Sequence, residues 1–109
     1  MNTVDAIIKK HPDIKVLIID TLQKIRGQAL PRESAYQQDY REMGRVKKFA
    51  DDHGISVFFV HHIRKMKDDS DPFNMVSGTN GIMGAADTTL VITKKARNDS
   101  RHYMTIASR

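Results

Sequence analysis

Two apolar runs in this chain end in residues that can do chemistry. KVLIID, residues 15 to 20, closes on a carboxylate, and ISVFFVHH, residues 55 to 62, closes on two imidazoles. In an open α/β sheet, ligands bind in the crevice beyond the carboxyl ends of the strands. If the two runs are neighbouring parallel strands, Asp20, His61 and His62 share one rim, a carboxylate and an imidazole pair in a site geometry whatever the ligand. A plainer role for Asp20 is to start the turn or helix of Thr21-Leu22-Gln23, since Asp caps such segments well.

The elements that must position these residues follow from pattern. KVLII (15 to 19) is continuously apolar and β-branched, which predicts a strand buried on both faces, and ISVFFV (55 to 60) predicts a second. Between them, Ser34 and Gln37 have capping-box spacing, and Tyr36, Tyr40, Met43, Val46 or Lys47, and Ala50 recur at steps of three and four. The spacing predicts a helix over 35–53, closed by Gly54 in the left-handed conformation glycine tolerates best. A strand, a capped helix and a strand in this space form a right-handed crossover between parallel strands. Upstream, Thr3 caps a short helix over 4–11 with Ile7 and Ile8 inward, ended by Pro12. Downstream, residues 62–80 show no periodicity and read as a mobile loop. GIMGAAD (81 to 87) reads as a short helix or turn of small residues. TTLVITK (88 to 94) and HYMTIAS (102 to 108) flank a turn at Asn98 and Asp99, an antiparallel hairpin.

Bulk properties set the frame. The 109 residues suit one domain with one core. No apolar stretch approaches the ~20 residues of a membrane helix, and the first residues lack the apolar centre of a signal peptide. With no cysteine, disulfides and thiolate metal sites are excluded, as suits a cytoplasmic protein. A net charge of +5 permits a polyanionic partner. In the 62–80 loop, Arg64, Lys65 and Lys67 are candidate phosphate contacts, but Asp68, Asp69 and Asp71 nearly neutralise them. Arg45, Lys47 and Lys48 read as the solvent face of the long helix. Tyr36, Tyr40, Phe58 and Phe59 take core-facing positions, which argues against base stacking. None of the five histidines has zinc-site spacing such as HExxH.

VLIIDTLQ resembles the Walker B strand of RecA-like ATPases, and VFFVHHIRK resembles the sensor strand that follows it. The pair is especially similar to the RepA-type replicative helicase and phage or plasmid ATPase group, where a His-His pair ends that strand. SGTNGIMGAADTTLVITKKARND resembles the family's next block, a Gly-Ala-Ala-Asp segment before a strand and then a basic turn. The resemblance spans residues 15 to 99 in the family's order.

It implies a partial RecA-like P-loop NTPase fold, an α/β architecture in which a parallel β-α-β unit precedes a C-terminal antiparallel hairpin. Residues 1–109 would be the C-terminal part of such a domain, from an ATP-dependent DNA-replication or recombination helicase. Asp20, with Thr21 beside it, would meet the nucleotide, Asp20 holding Mg2+ mostly through water. His62, or His61, would sense the γ-phosphate and relay its state to the loop, which in relatives faces single-stranded DNA. Lys95 and Arg97 match basic positions that in ring-forming members reach a neighbouring subunit's nucleotide, although either also reads as a solvated charge beside a turn.

One departure is decisive for activity. No GxxxxGK[ST] occurs in the sequence, so the glycine nest and lysine that cradle phosphates are absent. SGTNGIMG lacks the lysine and follows a loop. The glutamate that relatives carry upstream of Walker B would precede Met1. The expectation is therefore Mg2+ and ATP in a parent protein, neither bound to this chain alone, and no hydrolysis by it. An unpaired strand edge left by the missing P-loop strand predicts a homo-oligomer. Two other functions fit the residues. One is a non-catalytic α/β module that binds DNA or a partner through the 62–80 loop. The other is a metal-dependent phosphoesterase built on Asp20, His61 and His62, which needs more strand-end carboxylates than are present.

Overall fold

A reciprocal cap starts the longest element of the structure, a computed structural model that describes residues 2–21, 24–62, 73 and 80–109. The Gln37 N–H donates to Ser34 Oγ at 3.1 Å, and the Ser34 N–H donates to Gln37 Oε1 at 2.9 Å. Two N–H groups that an uncapped helix would leave unpaired are thereby satisfied. The helix ends at Gly54, whose φ of 62° and ψ of 38° are left-handed. A Cβ built at Gly54 would meet nothing within 4 Å. Conformation alone therefore sets the cost of Gly54→Ala, expected at about 1 kcal/mol in chemical denaturation; an unchanged midpoint would contradict it.

In chain order the elements are α1 (Asn2–Lys10), β1 (Val16–Asp20), α2 (Ala35–His53), β2 (Ser56–Val60), α3 (Asn80–Ala85), β3 (Thr88–Thr93) and β4 (Tyr103–Ser108). The architecture is α/β. β1 and β2 pair in parallel, Val16 opposite Ser56 through Asp20 opposite Val60, as the crossover reading predicts. β3 and β4 pair antiparallel, Thr88 opposite Ser108 through Thr93 opposite Tyr103. At the hairpin turn the Asp99 N–H donates to the Ala96 carbonyl at 3.1 Å, and the Asp99 carboxylate accepts from the Arg101 N–H at 3.0 Å. The residues in 62–80 read as a loop lie outside the described ones, apart from His62, Phe73 and Asn80.

The core is centred where α2 meets α3. Met43 and Ile82 are buried there, with Ile25, Phe59 and Ala85 packed against them. Each such side chain contributes roughly 1.5–3 kcal/mol when fully buried. Lys47 Nζ lies 2.8 Å from Asp51 Oδ1 and 3.0 Å from Asp87 Oδ2, joining α2 to the residue before β3. At the other end of α2, His53 Nε2 lies 2.9 Å from Asp5 Oδ1 on α1.

Three expectations are corrected. The strands are covered on one face only: Ile18 is 67% exposed and Phe58 52%, whereas Ile19 is buried and Phe59 reaches the core. Side chains alternate along a strand, and the helices cover only the face that carries Ile19 and Phe59. α2 is turned from its expected face, burying Asp39, Glu42, Met43 and Val46 while Tyr36 and Tyr40 stay half-exposed. Those two rings stack on each other at 6.2 Å instead of entering the core. In α1, Thr3 lies within the helix instead of capping it, and Ile8 is buried while Ile7 is 49% exposed.

Candidate functional site

The parallel register builds the rim. Because Asp20 is opposite Val60, the next residues along the two strands, Thr21 and His61, leave the sheet side by side, with neighbouring strands about 4.8 Å apart. Asp20 is exposed, Thr21 and His61 are half-buried, and His62 is exposed. The structure thus brings Asp20, Thr21, His61 and His62 to one edge of one sheet; pattern alone predicts the juxtaposition of Asp20, His61 and His62. The Asp20–Thr21 peptide is cis. The Lys24 N–H donates to the Thr21 carbonyl at 3.0 Å.

The segment from Arg26 to Glu33 is held by a set of ion pairs and hydrogen bonds that pattern reading does not find. Arg26 pairs through Nη2 with Asp39 Oδ1, and the Gly27 N–H donates to Glu42 Oε1 at 3.3 Å. Arg41 donates from Nε to Glu33 Oε1 at 2.7 Å and lies 3.5 Å from Glu42. Asp39 and Glu42 are both buried, so each needs such partners. Among the described residues no buried side-chain nitrogen or oxygen lacks a hydrogen bond. The segment from Arg26 to Glu33 is therefore strapped along α2 and fixes the exit from β1. Its one sequence signal is a pair of carboxylates, Asp39 and Glu42, spaced to sit beside Met43 and Val46.

The strap is acid-sensitive. The Arg41 guanidinium, aided by the Leu30 N–H, holds the Glu33 carboxyl below the usual glutamate range. A lowered folded-state value means the stabilisation is complete above about pH 4.3, the unfolded value, and is lost as pH falls through the folded one. The protection factor of the Leu30 amide, which donates to Glu33 Oε2 at 2.8 Å, should fall as pH drops through that folded value in the native protein but not in Glu33→Gln. An equal fall in both would contradict the assignment.

Lys95 and Arg97 stand elsewhere, in the β3–β4 connection and on a different sheet from Asp20. Lys95 Nζ lies 5.1 Å from the centroid of the Tyr103 ring, and the Arg97 carbonyl accepts from Lys94 Nζ at 3.1 Å. Both side chains are exposed. Arg64, Lys65 and Lys67 lie outside the described residues. Among the described residues no group of three His, Asp or Glu side chains is arranged to hold a metal ion. A single rim carboxylate still fits Mg2+, which keeps several waters and uses one or two carboxylates beside substrate phosphates.

No helix among the described residues is long and apolar enough to cross a membrane. No curated protein matches the chain. The family model described as AAA domain matches residues 1–68, which include α1 through β2 and the whole rim. On that match, covering more than half of its length, the chain belongs to the AAA domain family, an ATPase-type domain.

Proposed function

We propose that these residues supply the Walker B and sensor part of a RecA-like ATPase core serving DNA replication or recombination, of the RepA-type helicase kind. The observation that carries the reading is the register of Asp20 against Val60, which sets one carboxylate beside His61 and His62 at the carboxyl edge of parallel strands. Bound Mg2+ and ATP would supply the phosphoryl group and neutralise its charge. Asp20 would orient the water shell of the ion, with Thr21 next to it. His62 or His61 would donate a hydrogen bond to the terminal phosphate while that group is present. Loss of the bond on hydrolysis would free the following residues, Arg64, Lys65 and Lys67 among them, to change their hold on single-stranded DNA. Lys95 and Arg97 would act on a neighbouring subunit's nucleotide within a homo-oligomer. Their exposure suits that role.

The chain alone would not hydrolyse ATP, since its sequence has no GxxxxGK[ST] to cradle the phosphates. The same missing motif favours the second reading, a module that binds DNA without nucleotide. Single-stranded DNA titrations with and without Mg-ATP separate the two. On the ATPase reading, the product of the whole gene binds DNA with an affinity that changes with nucleotide. Replacing Arg64, Lys65 and Lys67 together by Ala flattens the salt dependence by about 2, at roughly 0.7 per phosphate contact on a single strand. Affinity indifferent to nucleotide would favour the module, and an unaltered salt slope would remove the loop from the DNA site.

A further inference from the structure

α2 buries two carboxylates, Asp39 and Glu42, that the chemistry at the rim does not use. Replacing buried ions by apolar side chains of similar volume is often neutral or stabilising, so the best-attested use of such groups is to fix register. What they register here is the chain that leaves the rim. Ile25 packs against the core pair of Met43 and Ile82, Arg26 pairs with Asp39, and the Gly27 N–H donates to Glu42 Oε1 at 3.3 Å. Three consecutive residues are thus docked on one stretch of α2. Lys24, just before them, donates its N–H to the Thr21 carbonyl at 3.0 Å. One hydrogen-bonded span therefore joins this anchor to Asp20 and Thr21.

The Gly27 contact leaves no slack. A Cβ built on Gly27 would lie 3.1 Å from Glu42 Oε1, inside the 3.4 Å at which ordinary van der Waals contact begins. The backbone reaches the carboxylate this closely because residue 27 has no side chain. The carboxylate is itself held, with Arg41 Nη1 3.5 Å from Oε1 and Arg45 Nη1 3.6 Å from Oε2. Arg41 also donates from Nη2 to the Gln28 carbonyl at 3.3 Å, so one guanidinium grips both Glu42 and the residue after Gly27.

We propose that Glu42 is a positioning residue for ATP turnover, acting through the Gly27 amide on Asp20 and Thr21. The inference rests on the assignment of Asp20 to magnesium. Asp20 is the last residue of β1, so its register against Val60 fixes one side of it, and the docked segment fixes the chain on the other. Glu42 touches no reacting atom. It sets where the chain leaves the strand, and with it the direction in which Asp20 and Thr21 meet the ion and the phosphates. A displacement of about 1 Å at a reacting group can cost on the order of 100-fold in rate, so a contact this close can govern turnover from α2.

The test measures ATP turnover by the product of the whole gene at saturating ATP with Mg2+ varied. Two variants, Glu42→Ala and Gly27→Ala, should each lower kcat at least about tenfold and raise the Mg2+ concentration for half-maximal turnover about threefold or more. Glu42→Gln keeps an acceptor for the Gly27 N–H and should stay within about threefold of the native kcat. Gly27→Ala removes no group from the core, so it keeps the test open if Glu42→Ala fails to fold. Adding either alanine to Asp20→Asn should lower the residual rate by less than about twofold, because a residue that acts through Asp20 has nothing left to position. A fall in kcat with the Mg2+ requirement unchanged would overturn the proposal in favour of lost folded protein. So would the same fold-loss with and without Asp20→Asn, or native turnover in folded Gly27→Ala. Native turnover in Asp20→Asn is a separate result, which ends the magnesium assignment itself.

Discussion

Asp20→Asn should reduce Mg-dependent ATP turnover by the whole gene product at least about 100-fold. That is about 2.7 kcal/mol of transition-state stabilisation at 1.36 kcal/mol per tenfold. The substitution keeps the size of the side chain and removes its negative charge. Because Asp20 is exposed at the end of β1, the change in unfolding free energy should stay within about 0.5 kcal/mol. The contrast between lost turnover and retained stability gives the test its force. A residue that only caps the turn at Thr21 would show the reverse, with stability falling and turnover little changed. Full turnover in the folded variant would end the assignment of Asp20 to magnesium.

The second large effect concerns folding. Asp39 is 2% exposed and pairs with Arg26, whose side chain is 30% exposed. Cutting Asp39 back to Ala leaves the guanidinium without its charge partner in a site that water only partly reaches. Breaking a fully buried pair costs about 3–5 kcal/mol; access of water to Arg26 lowers the expectation to roughly 2–3 kcal/mol. Against a total of about 5–15 kcal/mol for a domain of this size, such a loss moves the denaturation midpoint far. Asp39→Asn keeps an acceptor for Arg26 and should cost about half as much. Urea unfolding of the two variants checks both values, and a loss under about 0.5 kcal/mol for Asp39→Ala would show that the strap is incidental.

The local parts of this fold were readable in advance, and the long-range parts were not. Ser34, Gln37 and Gly54 set the ends of α2 through contacts with near neighbours, so their spacing sufficed. The parallel pair followed because two β-branched runs flank one capped helix. The buried face of α2 did not follow. It depends on Arg26 and Gly27 reaching Asp39 and Glu42 thirteen and fifteen residues away, and no helical periodicity encodes such partners. The apolar spacing of Tyr36 and Tyr40 pointed to the wrong face for the same reason. Val16, Ile18, Phe58 and Val60 looked like two-sided burial because an apolar run does not reveal whether its second face is covered. At the site, Asp20, His61 and His62 were legible because strand ends and register decide where they stand. The strap that aims the chain beyond Thr21 was not.

The most direct test of the account places the metal. Mn2+ substitutes for Mg2+ and broadens the resonances of nearby amides, so it can be added with millimolar ATP to the isotope-labelled product of the whole gene. The account predicts broadening centred on Asp20, Thr21, His61 and His62 that requires both metal and nucleotide and disappears in Asp20→Asn. Broadening centred on Asp51 and Asp52 of α2, or broadening at the rim that ATP does not affect, would contradict it.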